Sequence, residues 1–182
     1  MDEEVTVMVN PKELPENHPV KKLFRNLTDR ALTRSSLTDR DILFYLTDLL
    51  TQFIAVENLY QMKDEEGRPL MYLIDMIEKA DQASRSERKD RYKHIGDYSL
   101  FILGMFPESL SYGRRAISQS YYMDTGRRSY MVASELESDD QEVVVLRKLA
   151  EKYERCVLSL NWVREYTTDP FYQYMFRQFG IM

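Results

Sequence analysis

Apolar positions fall at helical spacing through most of this chain. After Pro19, the residues Val20, Leu23, Phe24, Leu27 and Ala31 repeat by three and four and predict a first amphipathic helix. Thr38 is a good N-cap for a second helix, with Asp39 and Asp41 where the helix dipole favours negative charge. Its stripe runs Ile42, Leu46, Leu49, Phe53, Val56 and Tyr60, widened by Leu43, Leu50 and Ile54. The string DEEGRP at 64–69 reads as a turn. Pro69 suits the first position of a third helix, whose inward face would be Leu70, Leu73, Ile74 and Ile77. The polar run DQASRSERKD then leads into RYKHIGDYSLFILGMFPESL at 91–110. There a fourth helix becomes almost wholly apolar from Tyr98 to Phe106 and stops at Pro107.

A loop through Gly113 precedes a fifth helix from Ser118 to Leu136. Ser138-Asp-Asp-Gln141 matches a capping box and opens a long sixth helix with the stripe Val143, Leu146, Ala150, Tyr153, Val157 and Leu160. Asp169-Pro170 restarts a short seventh helix, rich in aromatics (Phe171, Tyr172, Tyr174, Phe176, Phe179) and closed by Gly180. At the other end Val5, Val7 and Val9 alternate with dissimilar neighbours, which suggests a short strand or arm within residues 1–17. The pattern therefore predicts an all-α protein: a single-domain helical bundle of six to seven helices over residues 18–182, behind an N-terminal arm.

The bulk composition agrees. A chain of 182 residues that is 43% hydrophobic can bury one substantial core, and six glycines and six prolines leave little for long linkers. The start MDEEVTVMV lacks the basic and apolar regions of a signal peptide, and no run approaches 18 apolar residues, so a soluble cytoplasmic protein is expected. The net charge of −5 argues against a general nucleic-acid binder. The single cysteine, Cys156, cannot form an intramolecular disulfide or supply a thiolate zinc site; among Tyr153, Val157 and Leu160 it reads as a buried, inert thiol. The ten methionines read as adaptable core filler.

Candidate chemistry concentrates at the polar start of the fourth helix. Asp90, His94, Asp97 and Phe101 follow at four, three and four residues and share one face. An imidazole between carboxylates can offer metal ligands or a proton-transfer pair, with Glu57 the remote carboxylate that would complete a candidate metal set of Glu57, Asp90, His94 and Asp97. The Glu-x-x-His pairs of di-metal bundles are absent, and the other histidine, His18, precedes Pro19. The competing reading is a satisfied polar network inside a helical core.

Gly96 and Gly104 each cost a helix about 1 kcal/mol relative to alanine. Close approach to a small-residue row on the fifth helix, Gly126, Ser129 and Ala133, accounts for them; room for a flat ligand over Gly96 is the alternative. Cations crowd the same region (Arg85, Arg88, Lys89, Arg91 and Lys93, then Arg114, Arg115, Arg127 and Arg128), as do the phenols Tyr98, Tyr121, Tyr122 and Tyr130. The candidate ligand set is Arg91, His94, Asp97, Tyr98, Tyr122 and Arg127: a polar pocket for an aromatic or acidic ligand, with Asp97 or Asp124 partnering a buried phenol.

Two resemblances follow from these strings. His94-Ile95-Gly96-Asp97-Tyr98-Ser99 is similar to the Tyr-Leu-Gly-Asp-Leu-Ser-Gly-Gly string of the heme oxygenase distal helix, with Leu100-Phe101 in place of the paired glycines. That resemblance implies a helical tetrapyrrole or metal site at His94 and Asp97. The longer pattern H-x-G-D-x-x-L-F-x-x-G-x-F-P-E, followed by a Tyr-Tyr…Gly…Tyr helix, resembles an uncharacterised bacterial family across residues 88–134. It implies no mechanism.

No nucleophile–base set, P-loop, dinucleotide fingerprint or zinc motif is present. The leading expectation is a non-catalytic module binding a small ligand or a protein. It is also expected to form a homodimer through the aromatic C-terminal helix. The alternative is a heme-oxygenase-like enzyme using His94 and Asp97, and phosphate binding by the basic helix start ranks third.

Overall fold

The computed structural model describes residues 14–111, 117–178 and 180, and among these the regular structure is helical. In chain order the helices are α1 (Pro19–Arg34), α2 (Arg40–Gln52), α3 (Val56–Leu59), α4 (Leu73–Asp81), α5 (Arg85–Met105), a 3-10 turn (Pro107–Ser111), α6 (Gln119–Leu136), α7 (Asp140–Glu151), α8 (Tyr153–Thr167) and α9 (Pro170–Gln178). They form an all-α bundle around one hydrophobic core. The first thirteen residues of the expected arm lie outside the described residues. From Leu14 the chain packs onto the core, and Glu16 pairs with Lys21 and Arg25.

α5 is the central helix because almost every residue from His94 to Gly104 is buried, leaving it no solvent face. α6, α8 and α4 pack along it, while α1 packs on α2 and α8. Two glycines let α5 approach its neighbours. A Cβ on Gly96 would meet the Tyr130 ring of α6 at 2.7 Å; one on Gly104 would collide with Leu160 Cβ of α8. The expectation of tight packing through the Gly126 row also holds, since a Cβ on Gly126 would meet Ser99 of α5 at 2.9 Å. Gly104 differs in that its partner is α8. Because Leu160 Cβ is fixed to its own backbone, Gly104→Ala is expected to lower stability by about 2 kcal/mol even after the gain in helix propensity. Chemical denaturation checks this; a neutral or stabilising result would show that the α5–α8 contact gives way easily.

Several predicted boundaries move. His18, just before Pro19, caps α1, its Nδ1 accepting from Val20 N at 3.3 Å. The second cap is Asp39, not Thr38. Its carboxylate accepts from Asp41 N and Ile42 N and also binds Lys148 and Lys152, which ties α2 to the α7–α8 junction. The second helix ends at Gln52, where Asn58 Nδ2 donates to the freed carbonyl, and α3 is a separate helix from Val56. Pro69 lies in an antiparallel bridge with Lys63 that closes the DEEGRP turn, so α4 starts at Leu73 and Ile74 is exposed. Gly67 provides the positive φ of 79° that this turn needs. The long sixth helix is two helices broken at Lys152. Asp139, not Ser138, caps α7, and Glu137 accepts from Ser138 N and Asp139 N while bridging to Lys89 of α5 at 2.9 Å.

Candidate functional site

Asp97 sits half-buried on α5 and gathers phenols from two other helices. Tyr45 of α2 and Tyr130 of α6 both donate to its Oδ1, at 2.6 and 2.7 Å. Tyr130 is the partner that the phenol-rich region led one to expect. Tyr45 is not, because its only clue is a contact 52 residues away in sequence. Asp124 is exposed and takes no buried phenol.

Above Asp97 opens a cavity of about 500 Å³ between α2, α5 and the start of α7. Five carboxylates and Lys93 line it, but Asp41 is bound by Lys148 at 2.7 Å, Asp48 by Lys21 at 2.9 Å, and Asp139 caps α7. This is an ion-paired groove.

His94 is buried one layer beneath the surface. Its ring packs against Phe53 and Tyr98, and its Nδ1 meets Gln61 Nε2 at 2.5 Å. It lines neither this cavity nor the cleft described next. The expected metal partners diverge: Asp90 points to solvent beside Lys89, and Glu57, expected to face inward, is exposed on α3. Among the described residues no group of three or more histidines, cysteines or acids could hold a metal ion. The basic residues do not converge either. Arg91 donates to the Lys79 carbonyl at the end of α4, and Arg127 pairs at the surface with Asp124 and Glu154. Arg114 and Arg115 lie outside the described residues.

The two remaining candidates, Tyr98 and Tyr122, meet in a larger cleft of about 970 Å³. Its walls come from α3, the segment before α4, α5, the 3-10 turn and α6. Phe101 and Ile102 floor it, and its mouth carries Val56, Met71, Tyr72 and Phe106, which are 58%, 50%, 56% and 50% exposed. Val56 left its predicted place on the second helix's stripe, and Met71 and Tyr72 precede α4 instead of lying in its first turn. Among the described residues no charged side chain lines the cleft.

Tyr98 and Tyr122 are only 4% and 3% exposed, yet no described residue hydrogen-bonds to either hydroxyl. Burial, then the neighbouring phenols Tyr122 and Tyr60, raises the pKa of Tyr98. Burial, then Tyr121, Tyr60 and Tyr72, pushes Tyr122 up to about 12. Both phenols therefore stay protonated donors at neutral pH. Cys156 is remote from this chemistry; burial pushes its thiol up to about 12, in keeping with an inert core residue.

α9 docks by one face, with Tyr172 and Phe176 buried and Phe176 packed at a tilt against Phe24 of α1, while Phe171 and Tyr174 remain exposed. Among the described residues no helix is long and apolar enough to cross a membrane. No protein-family model, no curated protein and no solved structure matches the chain.

Proposed function

We propose that this protein is a non-catalytic binding module whose site is the aromatic cleft between α3, α5 and α6, and that its ligand is a small, mostly apolar molecule. One observation carries the reading: a cleft of ligand size has four large apolar side chains held out in water at its mouth. Each exposed apolar side chain covered by a ligand favours binding at about 25 cal/mol per Å² removed from water. The heme-oxygenase-like alternative would need His94 to reach a ligand, and His94 is walled off behind Phe53 and Tyr98. Dimerisation through α9 is a separate proposal, supported by the exposed Phe171 and Tyr174.

The test is fluorescence titration with Nile red, a neutral apolar dye. The wild-type chain is expected to bind it in the micromolar range. The Met71→Ala/Tyr72→Ala variant removes two exposed rim side chains that make no cap hydrogen bond, so it should fold normally and bind roughly tenfold more weakly. Equal binding by the two proteins would place the dye elsewhere and end this reading.

A further inference from the structure

Tyr98 and Tyr122 present an unusual chemical situation. A buried phenol ordinarily finds a hydrogen-bond partner, since leaving one unpaired in an apolar setting is unfavourable. Tyr45 and Tyr130 follow the rule, both donating to a single oxygen of Asp97, whereas the buried Tyr153 hydroxyl has no hydrogen-bond partner among the described residues. The cleft is lined by a second pair of phenols, from α5 and α6, and no described residue supplies an oxygen to either hydroxyl.

A phenol hydroxyl is a better donor than acceptor, because its lone pairs are partly delocalised into the ring. Two protonated phenols in an apolar cleft thus form a receptor for an oxygen acceptor. Among the described lining residues no cation could offset the burial of an anion, which favours a neutral acceptor. The remaining walls are flat and apolar, with Phe101 at the floor and Phe106 and Tyr72 at the mouth, which suits an aromatic ring system.

Resting on the assignment of the cleft as a ligand site, we infer that the ligand is a neutral, keto-bearing aromatic molecule of the quinone type, with Tyr98 and Tyr122 donating hydrogen bonds to its carbonyl oxygen. The hydroxyls set which ring compound is held, and the apolar walls set how tightly.

Three probes of similar size separate the contributions in equilibrium dialysis against the full chain. These are 2,3-dimethyl-1,4-naphthoquinone, which carries carbonyls and no open position for thiol addition; 2,3-dimethylnaphthalene, the matching hydrocarbon; and 2-naphthoate, an anion. The quinone is expected to bind about tenfold more tightly than the hydrocarbon, as one to two net neutral hydrogen bonds would give. In Tyr98→Phe/Tyr122→Phe that advantage should vanish while hydrocarbon affinity stays the same. The double variant should fold, because no described residue hydrogen-bonds to either hydroxyl. Equal affinity for quinone and hydrocarbon in the wild type would overturn the carbonyl inference yet leave the cleft as an apolar site. Naphthoate binding as tightly as the quinone would overturn neutrality. If none of the three binds and Nile red also fails, the cleft reading falls and takes this inference with it.

Discussion

Replacing Asp97 with alanine is expected to destabilise the protein by about 4 kcal/mol, among the largest effects of any single change outside the apolar core. The two hydroxyls that donate to its Oδ1, from Tyr45 and Tyr130, come from helices far apart in the chain. Hydrogen bonds to a charged acceptor contribute about 1.5–3 kcal/mol each, and deleting the acceptor strands one buried and one half-buried donor. Tyr130 is fully buried and lies against Gly96, so it cannot turn outward to find water. Asp97→Asn keeps an oxygen acceptor and should lose roughly half as much. Tyr45→Phe and Tyr130→Phe should each lose about 1–2 kcal/mol, whereas Tyr98→Phe and Tyr122→Phe should be near neutral. Urea denaturation of the six variants distinguishes a hub at Asp97 from a general need for phenols. If Asp97→Ala unfolds within 1 kcal/mol of wild type, the hub is wrong.

The helices were legible because each buries one side, and burial imposes a period of three to four on the apolar residues. α1, α6 and α9 fall where their stripes put them. The two breaks were hidden for the same reason. Apolar periodicity runs unbroken through Phe53 and through Lys152, so local pattern reads one helix where the chain makes two. What ends α2 is tertiary: Phe53 packs edge-on to Phe101 at 5.0 Å, and Asn58 takes over the Gln52 carbonyl. What marks the α7–α8 break is Lys152, whose ammonium reaches the Asp39 carboxylate.

The candidate site divides in a similar way. Spacing placed Asp97 and His94 on α5 and named Tyr98 and Tyr122 as pocket residues. It could not separate the layers: Asp97 serves the core network, His94 lies between, and the two phenols face a cleft on the far side. Spacing along one helix reports a shared face, and a central helix has neighbours on every face. A faint signal for the cleft did exist. Met71-Tyr72 and Phe106 are large apolar residues at helix ends, where no stripe requires them, and all three are exposed at its mouth.

Alkaline unfolding is the other large expected effect, and its sign follows from the buried phenols. Burial raises the pKa of Tyr45, Tyr98, Tyr122, Tyr130 and Tyr153 above the ordinary value, and proximity to Asp97 raises Tyr45 and Tyr130 further. In the unfolded chain these groups ionise near pH 10. The folded protein thus binds more protons than the unfolded one above that pH, and its stability falls as pH rises. Below pH 10 the contribution of the five phenols is fully present. Above it, each phenol held protonated only in the fold loses about 1.4 kcal/mol per pH unit. The raised pKa values of Lys21, Lys89 and Lys148, which lose their ion pairs on deprotonation, act in the same direction. Five phenols together remove an ordinary folding stability of about 5–15 kcal/mol within one to two pH units. The protein is therefore expected to unfold cooperatively between about pH 11 and 12. Tyrosinate absorbance near 295 nm should rise in two stages. The signal of the buried set should appear only as helical ellipticity is lost. A single titration of all thirteen tyrosines near pH 10 with the helices intact would mean that these hydroxyls are open to water, and the cleft would lose its two protonated donors.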